Sequence, residues 1–505
     1  MPDEAQIPAD RGEERAKNIV QGMGSLTVQN LGTSLLGFLF LVGVLRLIPV
    51  PQYAVYSAIV VTVSIASAFA GFGLNLAATR YVALLRRDDE KTSWIAARKI
   101  LLLSIGLTVI VTAFYCALSP LLSLYFTKST SWTWAFLLGG VWLFTTSISG
   151  TMQGILLGLK KYTQLAKILF VSRLSMIVFS LGILFFEHSV GIAIAGWVLF
   201  NSVIFFWILG LVGRNLLGAK GAFSYGNILR YVLPLGAAGV IAIFATSSDT
   251  VLVGGYLDTT SLAVYGAATT ISGVLGLVVL GPLTSTLLPE VSSSKSVEDA
   301  SNGVRIAFKF ATLVILPASL LVAGLSTQLL GLIIGGVYLT GNFTLEMIAL
   351  FYVFLGIQNI LLVLLQAVGK TMNVIVVGVV TAATDIGLAF LLVPHFGLTG
   401  AVASRVAVFV DGAVVAIYLS RNYMKNLDKA SYYVKGGVAS ALPFILVWAL
   451  STYVSSRVLT LVPYIVIYTI VFLACVKWFR LLSEEDRTYL SHTVPARFRK
   501  FVDYF

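Results

Sequence analysis

The stretch Ala54-Val55-Tyr56-Ser57-Ala58 returns 209 residues later as Ala263-Val264-Tyr265-Gly266-Ala267. The same offset carries Lys161 of the Gly158-Leu159-Lys160-Lys161 turn onto Lys370 of Gly369-Lys370, and Gly191 and Phe200 onto Gly400 and Phe409. Landmarks that coincide at one gap-free offset mark a tandem duplication. Each copy spans six apolar stretches, and six is even, so the two copies keep one orientation in a membrane and are related by a pseudo-two-fold axis along its normal.

Working outward, the whole chain is built for lipid. Of 505 residues only 11% are charged, against about 25% in a soluble domain, while 58% are hydrophobic and the mean hydropathy is +0.93. A water-soluble fold is excluded. At about 20 residues per crossing, the apolar runs predict fourteen transmembrane helices near 19–47, 53–85, 95–119, 133–157, 163–186, 190–212, 231–255, 261–289, 303–327, 343–368, 371–393, 397–420, 434–455 and 461–479. The expected fold is all-α and polytopic, with a six-helix N-lobe (19–212), a cytoplasmic linker (213–230), a six-helix C-lobe (231–420) and two further helices within 421–480. A cytoplasmic N-terminus (1–18) and a tail (481–505) flank them. The tail sets Val494, Phe498, Phe501, Val502 and Phe505 at helical spacing among basic residues, which predicts a short helix on the inner membrane surface.

The loops test this count independently, because basic residues concentrate on the cytoplasmic side. Alternate gaps hold Arg86, Arg87, Lys91, Arg98 and Lys99, then Lys160 and Lys161, then Arg214, Lys220 and Arg230, then Lys295, Arg305 and Lys309, then Lys370, then Arg421, Lys425, Lys429 and Lys435. The opposite gaps offer only Lys128 and Arg457. Both termini are therefore expected in the cytoplasm of a cell-membrane protein, and the net charge of +12 is a topology signal rather than a nucleic-acid footprint. The charged first 18 residues do not read as a signal peptide. Cys116 and Cys475 fall in apolar stretches, and His188, His395 and His492 have no metal-ligand spacing, so neither disulfide nor metal chemistry is expected.

Ionisable side chains inside spans are costly and normally face protein or a wet cavity. Those here are Arg46, Arg80, Arg173, Asp249, Asp385, Arg405 and Asp411. At about 1.5 Å per residue, Asp385 and Arg405 reach similar depth on consecutive helices. They are expected either to form an ion pair inside the second bundle or to couple a proton or cation site at Asp385 to an anionic ligand on Arg405. Asp411 is a cavity wall or a packing residue. Arg46 and Asp249 sit toward the outer ends of the first helix of each repeat and are expected to attract one another as a gate. Arg173 suits the phosphate of a ligand, because guanidinium binds phosphate bidentately. Arg80, nearer the interface, either joins the basic set or snorkels. Pro282 should bend the eighth span.

Leu45-Arg46-Leu47 with Pro51-Gln52-Tyr53-Ala54-Val55-Tyr56, then Gly71-Phe72-Gly73-Leu74 and Thr79-Arg80-Tyr81, form an ordered set. Leu233-Pro234-Leu235, Asp249, Ala263-Val264-Tyr265-Gly266, Leu288-Pro289-Glu290 and Gly369-Lys370 continue it. Over most of residues 19–420 the chain resembles the polysaccharide and oligosaccharide-lipid flippases of the multidrug/oligosaccharidyl-lipid/polysaccharide (MOP) exporter superfamily. Ala54 stands where the family often has glycine, and Pro49 and Pro51 alter the turn. The resemblance implies a two-lobed alternating-access transporter that moves a polyprenyl- or dolichyl-(pyro)phosphate-linked oligosaccharide from the inner to the outer leaflet. No cofactor is implied, and coupling to a sodium or proton gradient stays open. Its partners would be membrane lipids, the lipid-linked oligosaccharide and the glycan polymerase or glycosyltransferase machinery, with the chain acting as a monomer. Two other readings remain: a cation-coupled exporter of organic cations, which would favour cavity carboxylates over arginines, and a membrane enzyme acting on lipid-linked sugars, for which Glu187, His188, Asp258, Glu346 and His395 are the outer-loop candidates.

Overall fold

The computed structural model describes residues 32–86, 89–219, 221, 223–281, 283, 287, 297–333, 335–424, 427–453 and 461–482, and the regular elements among them are all helical. They are α1 (Gly32–Leu47), α2 (Val50–Gly71), α3 (Leu74–Leu85), α4 (Glu90–Thr127), α5 (Thr133–Gly158), α6 (Tyr162–Leu184), α7 (Val190–Gly218), α8 (Tyr225–Tyr256) and α9 (Thr259–Leu275), then α10 (Val297–Phe310), α11 (Leu316–Gly324), α12 (Ser326–Ile333), α13 (Asn342–Ala367), α14 (Thr371–Ser420), α15 (Ala430–Tyr453) and α16 (Leu461–Trp478). Two π-turns, Gly276–Leu280 and Ala311–Ile315, follow α9 and join α10 to α11. Eleven helices among the described residues are long and apolar enough to cross a membrane. The interfacial tail, residues 1–18 and Pro282 lie outside the described residues.

Splitting α14 raises the eleven to twelve, and α1 together with α9 and the π-turn that follows it bring the crossings to fourteen. Helices α2 and α3 make one span interrupted at Phe72 and Gly73, whose φ angles are 33° and 74°. Glycine is required at position 73 for that φ. It is also required for space: a Cβ there would stand 3.2 Å from Leu235 Cβ and 3.3 Å from the Gly236 amide of α8. At about 1.5 Å per residue, the 50 residues of α14 run about 75 Å, more than twice a roughly 30 Å hydrocarbon core. They divide into two crossings at Gly397, whose φ of 59° and ψ of −134° only glycine adopts without strain, three residues after Pro394.

The chain divides into two compact units, Met1–Ser247 with Asp258–Ala263, and Ser248–Leu257 with Val264–Phe505. In the first, Leu74 and Val82 of α3, Ile100 of α4, Met152 and Ile155 of α5 and Ile204 and Ile208 of α7 build a buried core. Apolar burial alone does not hold helices together in lipid, so small residues and polar pairs do much of the joining. Ser104 and Thr151 hydroxyls meet at 2.8 Å, Ser149 donates to Asn201 Oδ1 at 2.9 Å, and Thr62 meets the Tyr115 hydroxyl at 3.0 Å. Basic residues of the connections close helix ends: Arg86 Nη1 donates to the Leu159 carbonyl at 2.9 Å and Arg98 Nη1 to that of Ala219 at 2.7 Å. In the second unit, α11, α15 and α16 pack through Leu320, Val447, Tyr464 and Tyr468, and Tyr468 donates to the Pro317 carbonyl at 2.8 Å.

Candidate functional site

The second unit gathers charges from three separate parts of the chain. The end of α8 supplies Asp249, α9 supplies Tyr265, and the two halves of α14 supply Asp385 and Arg405. Asp249, Asp385 and Arg405 are 0%, 1% and 9% exposed. The guanidinium grips Asp249 bidentately, Nε to Oδ2 at 2.5 Å and Nη2 to Oδ1 at 2.6 Å. Tyr265 donates its hydroxyl to Asp249 Oδ2, and Thr250 donates its amide at 2.5 Å and its hydroxyl at 3.1 Å to Oδ1. Asp385 is held more sparsely. Its Oδ2 accepts from the Asp249 amide at 3.4 Å, and its buried Oδ1 has no hydrogen-bond partner among the described residues. With both carboxylates ionised the cluster carries one net negative charge, out of reach of water.

The halves of α14 are tied together beside this cluster. Ser404 donates to the Asp385 carbonyl at 3.3 Å, and Thr384 donates to Asp411 Oδ2 at 2.7 Å. Asp411 is half-buried and serves this tie.

Two sequence expectations gain detail here. Asp385 and Arg405 do share a neighbourhood and feel one another's charge, and the guanidinium's bidentate grip falls on Asp249. Asp249, expected to reach toward Arg46 as a gate, has both oxygens occupied inside its own unit; Arg46 is exposed near the end of α1. The physical reason is common to both. Depth along a helix follows from residue count, whereas the direction a side chain takes around the helix axis depends on which neighbours pack there.

The first unit holds Arg173 on α6. Its guanidinium carbon lies 4.5 Å from the Phe200 ring centroid and 4.9 Å from that of Trp197, both on α7. Trp197 Nε1 donates to the Tyr56 hydroxyl at 3.0 Å, stacks on Trp142 at 5.1 Å and meets Phe40 edge-on at 6.0 Å. Arg173 Nη1 reaches Met176 Sδ at 3.5 Å, and Nε is buried without a hydrogen-bond partner. The rings therefore hold the cation by its face, so its edge is not consumed by a carboxylate. Arg80 is exposed on α3, stacked 4.3 Å over Tyr231. Asp258, weighed as an outer-loop acid, caps α9 by accepting from the Ser261 amide at 3.1 Å, and that interaction with Ser261 holds its carboxyl below the usual range.

The duplication supplies an internal control. At the offset of 209, Tyr265 corresponds to Tyr56, Asp249 to Phe40, Asp385 to Met176 and Arg405 to Gly196. The first unit thus builds the same position from a tyrosine and apolar groups. A six-helix unit of this architecture does not need the charges in order to fold, and replacing a buried ion pair with apolar groups is often neutral or stabilising. Tyr265 was visible in the sequence only as a repeat landmark; the signal that could have exposed it is a hydroxyl kept at the same position in both copies.

The family model described as polysaccharide biosynthesis protein matches residues 19–295, more than half of the chain, and the MatE model matches residues 234–391. The comparison with curated proteins returned no match. Among solved structures, lipid II flippase MurJ in an inward closed conformation superposes with a TM-score of 0.76 at 14% identity, covering 90% of this chain and 98% of its own. A MOP superfamily transporter from Pyrococcus furiosus gives 0.58 at 17% identity, covering 81% and 96%. The Vibrio cholerae MATE transporter VcmN gives 0.58 at 14% identity, covering 82% and 99%. At these identities the structural likeness establishes the fold. The chain is a multi-pass membrane protein with the fold seen in MurJ and the MATE transporters, and it belongs to the polysaccharide biosynthesis protein family.

Proposed function

We propose that this protein is a flippase that carries a polyprenyl- or dolichyl-(pyro)phosphate-linked oligosaccharide from the inner to the outer leaflet by alternating access, with both termini cytoplasmic. Its two lobes would be 19–212 and 231–420, joined by the linker 213–230, with 421–480 and the tail outside the repeat. The family match over residues 19–295 carries this reading. Arg173 supports it: a guanidinium laid on rings, with unspent donors, suits a diphosphate linked to a sugar. Arg46 and Arg80, both exposed, would extend the basic track for the head group. The buried cluster of Asp249, Asp385 and Arg405 would couple transport to an ion gradient, and Asp411 would brace the helix that bears it.

The test is reconstitution of the full chain into vesicles with a fluorescent polyprenyl-diphosphate-linked sugar, scoring leaflet transfer by its accessibility to a membrane-impermeant reductant. Transfer above that of empty vesicles is expected, and equal rates would end the proposal. The MatE match favours one second reading, extrusion of organic cations. Accumulation of a lipophilic cation dye in the same vesicles, without lipid transfer, would select it.

A further inference from the structure

The two halves of the duplication close one of their ends in different ways. At the offset of 209, α10 (Val297–Phe310) corresponds to residues 88–101 around the start of α4, while Asp428 and Tyr432 correspond to Ala219 and Phe223. In the first unit the basic residues of α4 are spent on the backbone of that segment. Arg98 donates to the Ala219 carbonyl at 2.7 Å and Lys99 to the Phe223 carbonyl at 2.8 Å.

The second unit makes the same approach with different chemistry. Helix α10 packs against the turn Arg421–Tyr423, Phe308 meets the Tyr433 ring edge-on at 6.3 Å, and Lys309 Nζ lies 5.6 Å from the Tyr432 ring centroid. Tyr433 feels the charges of both Asp428 and Arg305. Even so, Arg305 Nε, the Tyr433 hydroxyl and Asp428 Oδ2 are each buried without a hydrogen-bond partner among the described residues. Buried donors and acceptors left unmade are costly, and three in one neighbourhood mark a place that takes a polar group from outside the chain.

The flanks say what kind of molecule carries that group. Ile306 beside Arg305 and Val434 beside Tyr433 are 63% and 64% exposed, so aliphatic surface borders the polar groups on both segments. With the termini cytoplasmic, as proposed above, the basic loops put this end at the inner leaflet. Guanidinium suits a phosphate, and basic pockets between helices on this side of a membrane recognise lipid head groups. We propose that α10 and the segment Asp428–Tyr433 bind the head group of an anionic inner-leaflet phospholipid of the phosphatidylglycerol type. The phosphodiester is held by Arg305 and the Tyr433 hydroxyl with Lys309 adding charge, a glycerol hydroxyl donates to Asp428, and the acyl chains lie along Ile306 and Val434. Free phosphate would leave the aliphatic flanks unused, and a choline head group has no donor for Asp428. Bound in this way, the lipid joins α10 to the start of α15.

Native mass spectrometry of the full chain tests this, with detergent micelles doped with phosphatidylglycerol, with phosphatidylcholine, or with inorganic phosphate alone. Saturable retention of one phosphatidylglycerol is expected, which neither phosphatidylcholine nor inorganic phosphate displaces. Arg305→Gln should weaken it about fivefold, and Tyr433→Phe should weaken it as well. Arg98→Gln, at the closed counterpart in the first unit, should leave it unchanged. Equal retention of phosphatidylcholine, displacement by inorganic phosphate, unchanged affinity in Arg305→Gln, or an equal loss in Arg98→Gln would overturn the proposal. If Arg305→Gln does not fold, Arg305→Lys decides: it keeps the charge but loses the planar fork, so its affinity should fall, and parent affinity would count against the site. No lipid-linked sugar enters this measurement, so it and the flippase reading fail separately.

Discussion

Removing one side of the buried pair should cost far more than removing both. In Arg405→Gly, Asp249 keeps the Tyr265 and Thr250 donors but loses a bidentate guanidinium while remaining fully buried. In Asp249→Phe, Arg405 is left with its charge and no bidentate acceptor. Breaking a buried pair from one side costs about 3–5 kcal/mol, because an uncompensated charge remains. For a unit of this size each kcal/mol lowers Tm by about 2–4 °C, so each single variant should melt roughly 6–20 °C below the parent. The double variant Asp249→Phe/Arg405→Gly installs the residues that the first unit carries at these positions, Phe40 and Gly196. It removes both charges, and its melting point should lie well above that expected if the two single losses simply added. The assay is intrinsic-fluorescence melting of the full chain in detergent, arranged as a double-mutant cycle. Single losses below about 1 kcal/mol, or a double variant that melts at the additive position, would refute the claim that the two residues form one coupled unit. A double variant that folds and translocates lipid at the parent's gradient-driven rate would refute its working role.

Further outcomes follow from other parts of the fold. Gly397→Ala forces a side chain into a φ of 59° and ψ of −134°, which should cost about 1–3 kcal/mol and lower Tm; an unchanged melting point would mean that the α14 junction relaxes freely. Arg173→Lys keeps the charge but loses the planar edge and the stacking on Phe200 and Trp197. Half-saturation for the fluorescent lipid-linked sugar should rise about tenfold, equivalent to about 1.4 kcal/mol, and an unchanged value would release Arg173 from head-group binding. Asp258 has its carboxyl held below the usual value by Ser261, so its contribution is present above the ordinary carboxylate range and is lost as pH falls through the lowered value. Asp258→Asn should therefore flatten the acid limb of the stability curve and leave neutral pH nearly unchanged; a parallel acid limb in the variant would show that the cap is not what titrates.

Much of the architecture was legible along the chain. Apolar run length and the alternation of basic loops predict fourteen crossings, and the repeated Ala-Val-Tyr marks the duplication, because hydration and charge placement act on each segment separately. The break near Pro394 and Gly397 was legible too, falling between the stretches 371–393 and 397–420, whereas the one at Phe72 and Gly73 interrupts a stretch that reads as a single helix over 53–85. The charged positions themselves could be picked out, since each stands in an otherwise apolar run.

What the sequence could not settle is who meets whom. Asp249 is 156 residues from Arg405 and 136 from Asp385, and counting residues gave Asp385 and Arg405 similar depth but not the guanidinium's choice of Asp249. That choice depends on the rotation of α8 and of both halves of α14 about their axes, which is set by the packing of whole helices after insertion. Depth is a one-dimensional property of a helix in a slab, and the sequence alone determines it. Direction around the axis is fixed only when neighbouring helices close on it, which is why the tertiary structure decided that Arg405 grips Asp249 bidentately while Asp385 Oδ1 is buried without a hydrogen-bond partner.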